Sequence, residues 1–269
     1  MMRSPLVLFF LCVGLVSAGA ADFATQATLC TYKLFFPTST GTCFLLSRPR
    51  PDQPESRQYL LVTAAHVLEG ISADDATLVL RRALPDEAYQ RADTTIHIRR
   101  NGKPLWSRHA SEDVAVLPLD LPADAPVSAL DLESLGTEEA LRKIGLHVGS
   151  ALFSAVYPER REANGEGFPI IRPCNIASFP FLPVATHKTF LVDAFAFHGD
   201  SGGLVFARDE RKGSSAEECP PIIVGIVVSM WHTNEKTETP TETREVHTPL
   251  GLATVIHAHY IKETVDLIK

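Results

Sequence analysis

The chain has 269 residues, a formal net charge of −7 and 45% hydrophobic residues, with a mean hydropathy of +0.05. That length suits one large all-β domain or two small lobes sharing a cleft, and the apolar content is that of a globular protein with a real core. The acidic balance excludes the basic face that a nucleic-acid binder needs.

In chain order, Met1-Met2-Arg3 gives a short positive start and Leu6 to Val16 an apolar run. Ser17-Ala18-Gly19-Ala20 closes it with small residues and an A-x-A cleavage signature. Residues 1–20 therefore read as a secretory signal removed after Ala20. The run is shorter than the ~20 apolar residues a bilayer span requires, and no later stretch is long and apolar enough. The expected mature protein is secreted or periplasmic, with no membrane contact once the signal is gone.

The remainder reads as many short strands: Thr42–Leu46, Tyr59–Val62, Ala76–Leu80, Thr94–Ile98, Val114–Leu117, Ala151–Val156, Thr189–Val192, Leu204–Phe206, Ile222–Val228 and Leu252–Ile256. Turn-rich segments between them favour a barrel or sandwich over alternating β and α units. Pro118 to Ala140 is rich in prolines and acids and reads as the connection between two lobes, with a short helical piece near Glu138 to Ile144. The expected division is 21–125 for the first lobe and 126–269 for the second. The polar stretch His232 to Thr248 reads as an exposed loop. Ile261, Val265 and Ile268 have the spacing of a terminal amphipathic helix over His259 to Ile268.

Of the five cysteines, Cys12 lies in the signal, leaving Cys30, Cys43, Cys174 and Cys219. An even set in an exported chain suggests two disulfides. Among the three pairings, Cys30–Cys43 and Cys174–Cys219 keep each bridge inside one half of the chain; four buried thiols are the alternative. No cysteine pair has zinc spacing, and His257-Ala258-His259 lacks a third ligand nearby, so no metal and no cofactor are expected.

Three segments carry chemistry. Gly199-Asp200-Ser201-Gly202-Gly203 surrounds a serine with glycines, which let backbone N–H groups approach a substrate oxygen. Leu61-Val62-Thr63-Ala64-Ala65-His66 puts a histidine after an apolar strand, behind small residues. Ser111-Glu112-Asp113-Val114-Ala115-Val116-Leu117 puts an aspartate at the mouth of another strand.

Together these segments resemble the three catalytic motifs of chymotrypsin/trypsin-like serine peptidases, in the family's order His, Asp, Ser. The resemblance spans about Thr42 to Ile256. It implies an all-β fold of two antiparallel six-stranded β-barrels with a C-terminal helix. It implies Ser201 as nucleophile, His66 as general base, Asp113 as the group orienting His66, and the N–H groups of Gly199 and Ser201 as the oxyanion hole. The expected activity is serine endopeptidase hydrolysis of a polypeptide substrate.

The chain departs from the digestive members of that family. Val67 stands where they carry a cysteine beside the histidine, and no basic activation site precedes the mature start. Asp200 must then find a partner other than a freed N-terminal amine. The chain looks closer to exported bacterial-type members without a PDZ domain. Phe195, six residues before the serine, takes the position at the base of the primary specificity pocket and argues against Lys or Arg selection. Val228-Ser229-Met230-Trp231 resembles the strand that lines that pocket and places Ser229 against substrate. His198 and His232 lie close enough in sequence to reach it, where a histidine would suit an acidic side chain, but they read first as surface histidines. Gly199 to Gly203 also fits the G-x-S-x-G elbow of α/β-hydrolase esterases, but that elbow needs a helix after the serine and the order Ser, acid, His. A catalytically silent binding protein on the protease fold is the other alternative.

Overall fold

The structure is a computed structural model and describes residues 22–50, 53, 55–122, 124–207, 222–238 and 242–268. It opens on a helix, α1 (Phe23–Cys30), where the Asp22 side chain accepts the Thr25 N–H at 3.1 Å as an N-cap. At the other end, the buried Arg81 guanidinium donates to the Leu29 and Thr31 carbonyls, each at 2.8 Å. A cation there satisfies orphan carbonyls and suits the negative end of the helix.

The first sheet contains β1 (Thr31–Phe36), β2 (Ser39–Pro49), β3 (Arg57–Thr63), β4 (Asp75–Ala83) and β5 (Tyr89–His97). A small separate pair, β6 (Arg99–Arg100) and β7 (Lys103–Pro104), precedes β8 (Ser107–Arg108), β9 (Ala115–Leu119) and β10 (Leu130–Asp131). The long strands run antiparallel in the order β5-β4-β1-β2-β3-β9. The two-residue strands β8 and β10 bring the count to eight, β10 pairing with β2 in parallel. A short helix, α2 (Ala65–Glu69), leaves the end of β3, and α3 (Glu138–Lys143) follows the sheet, its start capped by Thr137.

The second sheet has six strands in the order β12-β11-β14-β15-β16-β13: β11 (Ala151–Val156), β12 (Ile170–Asn175), β13 (Thr189–Val192), β14 (Leu204–Ala207), β15 (Ile222–Glu238) and β16 (Thr243–His257). The C-terminal helix α4 (Ala258–Asp266) buries Tyr260, Ile261 and Val265. The all-β class, the two antiparallel sheets and the terminal helix are as the sequence implies.

Successive residues of a strand point to opposite faces, and here both faces are buried. Leu45, Leu61, Ala115 and Leu117 fill the interior of the first sheet. Their neighbours Phe44, Leu46, Leu60, Val62, Val114 and Val116 join the core of the second. That is why these strands read as unbroken apolar runs rather than alternating ones. It also locks the lobes together, since a one-residue slip would exchange the two cores.

Two expectations need correction. The stretch 232–248 is not a loop. β15 and β16 stay paired from His232↔Pro249 to Glu238↔Thr243, forming a two-stranded ribbon that projects into solvent. The Cys30–Cys43 disulfide is absent, because Cys43 faces the first core beside Tyr32 while Cys30 faces the second beside Phe44. Cys174 is also a buried free thiol; Cys219 lies outside the described residues, so its proposed bridge does too. Burial pushes the Cys30 and Cys174 thiols up to about 12, which makes them poor nucleophiles. No described helix is long and apolar enough to cross a membrane.

Candidate active site

His66 sits in the first turn of α2, directly after β3. Thr63, Ala64 and Ala65 before it are fully buried, so only small residues fit this passage between the lobes. Val67 packs on Gly41: a methyl there would come within 2.4 Å of the Val67 side chain, so glycine makes room for it.

Asp113 lies in the turn that enters β9. Its Oδ2 is 2.5 Å from His66 Nδ1, and its Oδ1 accepts the His66 backbone N–H at 2.9 Å. Burial opposes the charge on Asp113, but the bonds from the His66 ring and backbone outweigh it and hold the carboxyl below its usual range. An ionised Asp113 requires the proton on Nδ1 and leaves Nε2 as the acceptor. The turn is pinned from the second lobe. His109 Nδ1 accepts the Glu112 N–H at 2.9 Å while its Nε2 faces Glu263 of α4 at 2.9 Å, and Lys188 binds Glu112 at 2.7 Å.

Ser201 follows a turn built from glycines with positive φ, Gly199 at +98° and Gly202 at +83°. A methyl on Gly202 would meet the Thr42 carbonyl at 2.1 Å, and one on Gly199 the Tyr157 carbonyl at 2.4 Å. Both positions need glycine for conformation and for closeness. Thr42, buried in β2, ties this turn to the first lobe. Its hydroxyl donates to the Gly199 carbonyl at 2.7 Å and its N–H to the Ser201 carbonyl at 2.9 Å.

The His198 carbonyl accepts the Glu159 N–H at 2.6 Å. A planar trans peptide points its N–H opposite to its carbonyl, so the Gly199 N–H faces away from Glu159. Among the described residues no acceptor takes the N–H of Gly199 or of Ser201. Two free amide donors flanking a serine hydroxyl are what an oxyanion site requires.

Asp200 is 2% exposed. Its Oδ2 accepts the Phe197 N–H at 2.9 Å and faces the Arg172 guanidinium at 3.3 Å, whereas Oδ1 is buried without a partner among the described residues. Arg172 is the cation that the described residues bring to Asp200. Burial pushes the Asp200 carboxyl up to about 7, against the Phe197 N–H and Arg172, which pull it down. Arg172 lies on β12 and was not singled out from the sequence, nor was Thr42.

These elements meet around a cleft of ≈ 590 Å³ lined from the first lobe by Thr40 and His66 and from the second by Glu159, Ser201 and Val228. His198, Gly199 and Ser229 also line it, but Phe195 does not. The Phe195 ring is half exposed and lies over Gly251, whose lack of a side chain leaves it that place. His232 meets His247 edge-to-face in the ribbon instead of entering the cleft. The Ser201 hydroxyl is turned to the Val228 carbonyl, 3.5 Å away, and no bond joins it to His66 among the described residues. Nor do the described residues place three metal-ligating side chains together. His257 is buried between Phe181 and Phe190, while His259 pairs with Glu263.

No family model matches the sequence, and no curated protein matches it. Among solved structures, the chain is similar to the Rv3671c protease in its inactive form, at 17% identity and a TM-score of 0.47 over 91% of each chain. It is likewise similar to a serine-to-alanine mutant of Rv3671c from M. tuberculosis H37Rv, at 16% identity and a TM-score of 0.46, covering 91% of this chain and 88% of that one.

Proposed function

We propose that the chain is a serine endopeptidase that hydrolyses peptide bonds through an acyl-enzyme on Ser201. The observation that carries this reading is the doubly held His66–Asp113 pair, which shares a cleft with Ser201 and with two unpaired amide donors. Ser201 Oγ attacks the scissile carbonyl while His66 Nε2 takes its proton. The imidazolium so formed is stabilised by Asp113 at Nδ1 and returns the proton to the leaving amine. The Gly199 and Ser201 N–H groups bind the oxygen that gains charge. Water, activated by the same imidazole, then releases the acyl group.

Residues 1–20 act as an export signal in this reading, the lobes divide at 21–125 and 126–269, and the mature enzyme meets polypeptide substrates outside the cytoplasm. The catalytically silent alternative draws on one observation, the Ser201 hydroxyl resting on Val228. Catalytic hydrogen bonds often tighten only when substrate binds, so the resting rotamer is compatible with activity. Cleavage of a peptide library by the mature protein and by Ser201→Ala separates the two. The account expects wild-type turnover, lowered on the order of 10⁶-fold in the variant. Wild-type cleavage that survives in Ser201→Ala, or none in either, sinks it.

A further inference from the structure

Glu159 and Arg160 form one edge of the cleft and both hold left-handed backbone, with φ of 48° and 63°. Two consecutive side-chain-bearing residues adopt that conformation only where their surroundings overdetermine it. The surroundings here come largely from the first lobe. Lys33 of β1, itself buried, donates to the Arg160 carbonyl at 3.0 Å and to Glu162 Oε1 at 2.6 Å. Arg91 of β5 holds Glu162 Oε2 at 2.7 Å. The Arg160 guanidinium donates to the Pro37 carbonyl at 3.3 Å, and the Arg161 N–H to Pro158 at 2.8 Å. The bent segment so held presents the Glu159 N–H to the His198 carbonyl at 2.6 Å.

We propose that Lys33 is a positioning residue for the oxyanion site: by fixing the Arg160 carbonyl and the Glu162 carboxylate it keeps the Glu159 N–H on His198, and so keeps the Gly199 N–H turned away from Glu159 and free for substrate. This proposal rests on the hydrolase reading above. Without the strap, the strained pair relaxes, the His198 carbonyl loses its donor, and the 198–199 peptide is free to rotate and withdraw one of two oxyanion donors. Because the oxyanion develops only during reaction, the loss falls on the transition state and spares ground-state binding.

The test uses the mature protein with Lys33→Met, Lys33→Arg and Glu162→Gln. Turnover of a cleaved peptide is compared with inhibition by a peptide aldehyde of the same sequence, which forms a tetrahedral adduct. For Lys33→Met the proposal expects kcat lowered ~10²-fold, the lower end for loss of an oxyanion donor, with KM within about twofold and aldehyde affinity lowered in proportion to kcat/KM. Lys33→Arg recovers part of both. Glu162→Gln, at the other end of the strap, follows in the same direction with a smaller loss, and supplies the test if Lys33→Met does not fold. Folded variants with unchanged kcat and aldehyde affinity overturn the proposal, as does a loss confined to KM. A wild-type protein that neither cleaves peptide nor binds the aldehyde overturns the hydrolase reading instead, and the strap's role falls with it.

Discussion

Among the described residues Arg172 is the guanidinium that meets the buried Asp200 carboxylate, and on the proposed function removing it should change how activity responds to pH. In the native protein burial already lifts the Asp200 carboxyl to about 7, with one oxygen unpartnered. An adjacent Arg typically lowers an aspartate by ~1–3 pH units. In Arg172→Met that help is gone, so Asp200 should be largely neutral at pH 7.5 and ionise only near or above pH 8. A neutral Asp200 holds the Phe197 N–H less firmly, and the turn that carries Gly199 loosens. The kcat/KM profile should therefore gain a rise that sits ~1–3 pH units higher than in the native enzyme. Asp200→Asn should be low and flat across that range.

Stability gives a second readout with a fixed sign. Asp200 has a folded value above the ~3.9 of an unfolded aspartate. Its contribution is full below about pH 4 and is lost as pH rises through about 7. The gap corresponds to about 4 kcal/mol as an order of magnitude. The thermal stability of the native protein should thus fall between about pH 4 and 7 relative to Asp200→Asn. Identical pH–activity profiles for native and Arg172→Met protein, with both folded, would refute the reasoning.

His257 is buried, with no well-formed hydrogen bond to either ring nitrogen among the described residues, and burial pushes it down to about 4 against a weaker pull from the Phe181 backbone. The neutral ring's stability is full above the unfolded value of ~6.5 and lost as pH falls through about 4. His257→Phe should remove that acid-sensitive component from melting curves between pH 7 and 4 and leave neutral-pH stability about unchanged. Mass analysis of the denatured, unreduced protein should find Cys30, Cys43 and Cys174 as thiols, and the native protein should shield them from iodoacetamide. Replacing residues 233–248 by a short turn should leave the melting temperature within a few degrees of native. Every described side chain over 231–236 and 242–250 is exposed, and the ribbon adds little to either core.

The candidate catalytic elements were legible because the signature of each is local. Glycines around Ser201, small residues before His66 and an aspartate at a strand mouth each have a physical reason at one place in the chain. The strands with unbroken apolar runs were also plain, since burial on both faces leaves nothing to alternate. β12 was not, because Pro173 in Ile170–Asn175 argues against a strand. The sheet order resolves this: β12 is an edge strand, where a missing N–H costs no ladder bond. Arg172 was hidden with it, so the partner of Asp200 was expected without being identified. The ribbon was missed because solvent-exposed paired strands carry no apolar pattern, and Thr- and Glu-rich sequence then looks like a loop. The cysteines misled because an even count in a chain read as exported suggests pairing, whereas Cys30 at the end of α1 faces the second core and Cys43 on β2 faces the first.

The central claim, that Ser201 is an activated nucleophile, is tested most directly with a fluorophosphonate probe and peptide mapping of the mature protein. The account predicts a single stoichiometric adduct on Ser201 that disappears in Ser201→Ala and falls sharply in His66→Ala. An adduct elsewhere, or no adduct from protein that still cleaves peptides, would contradict it.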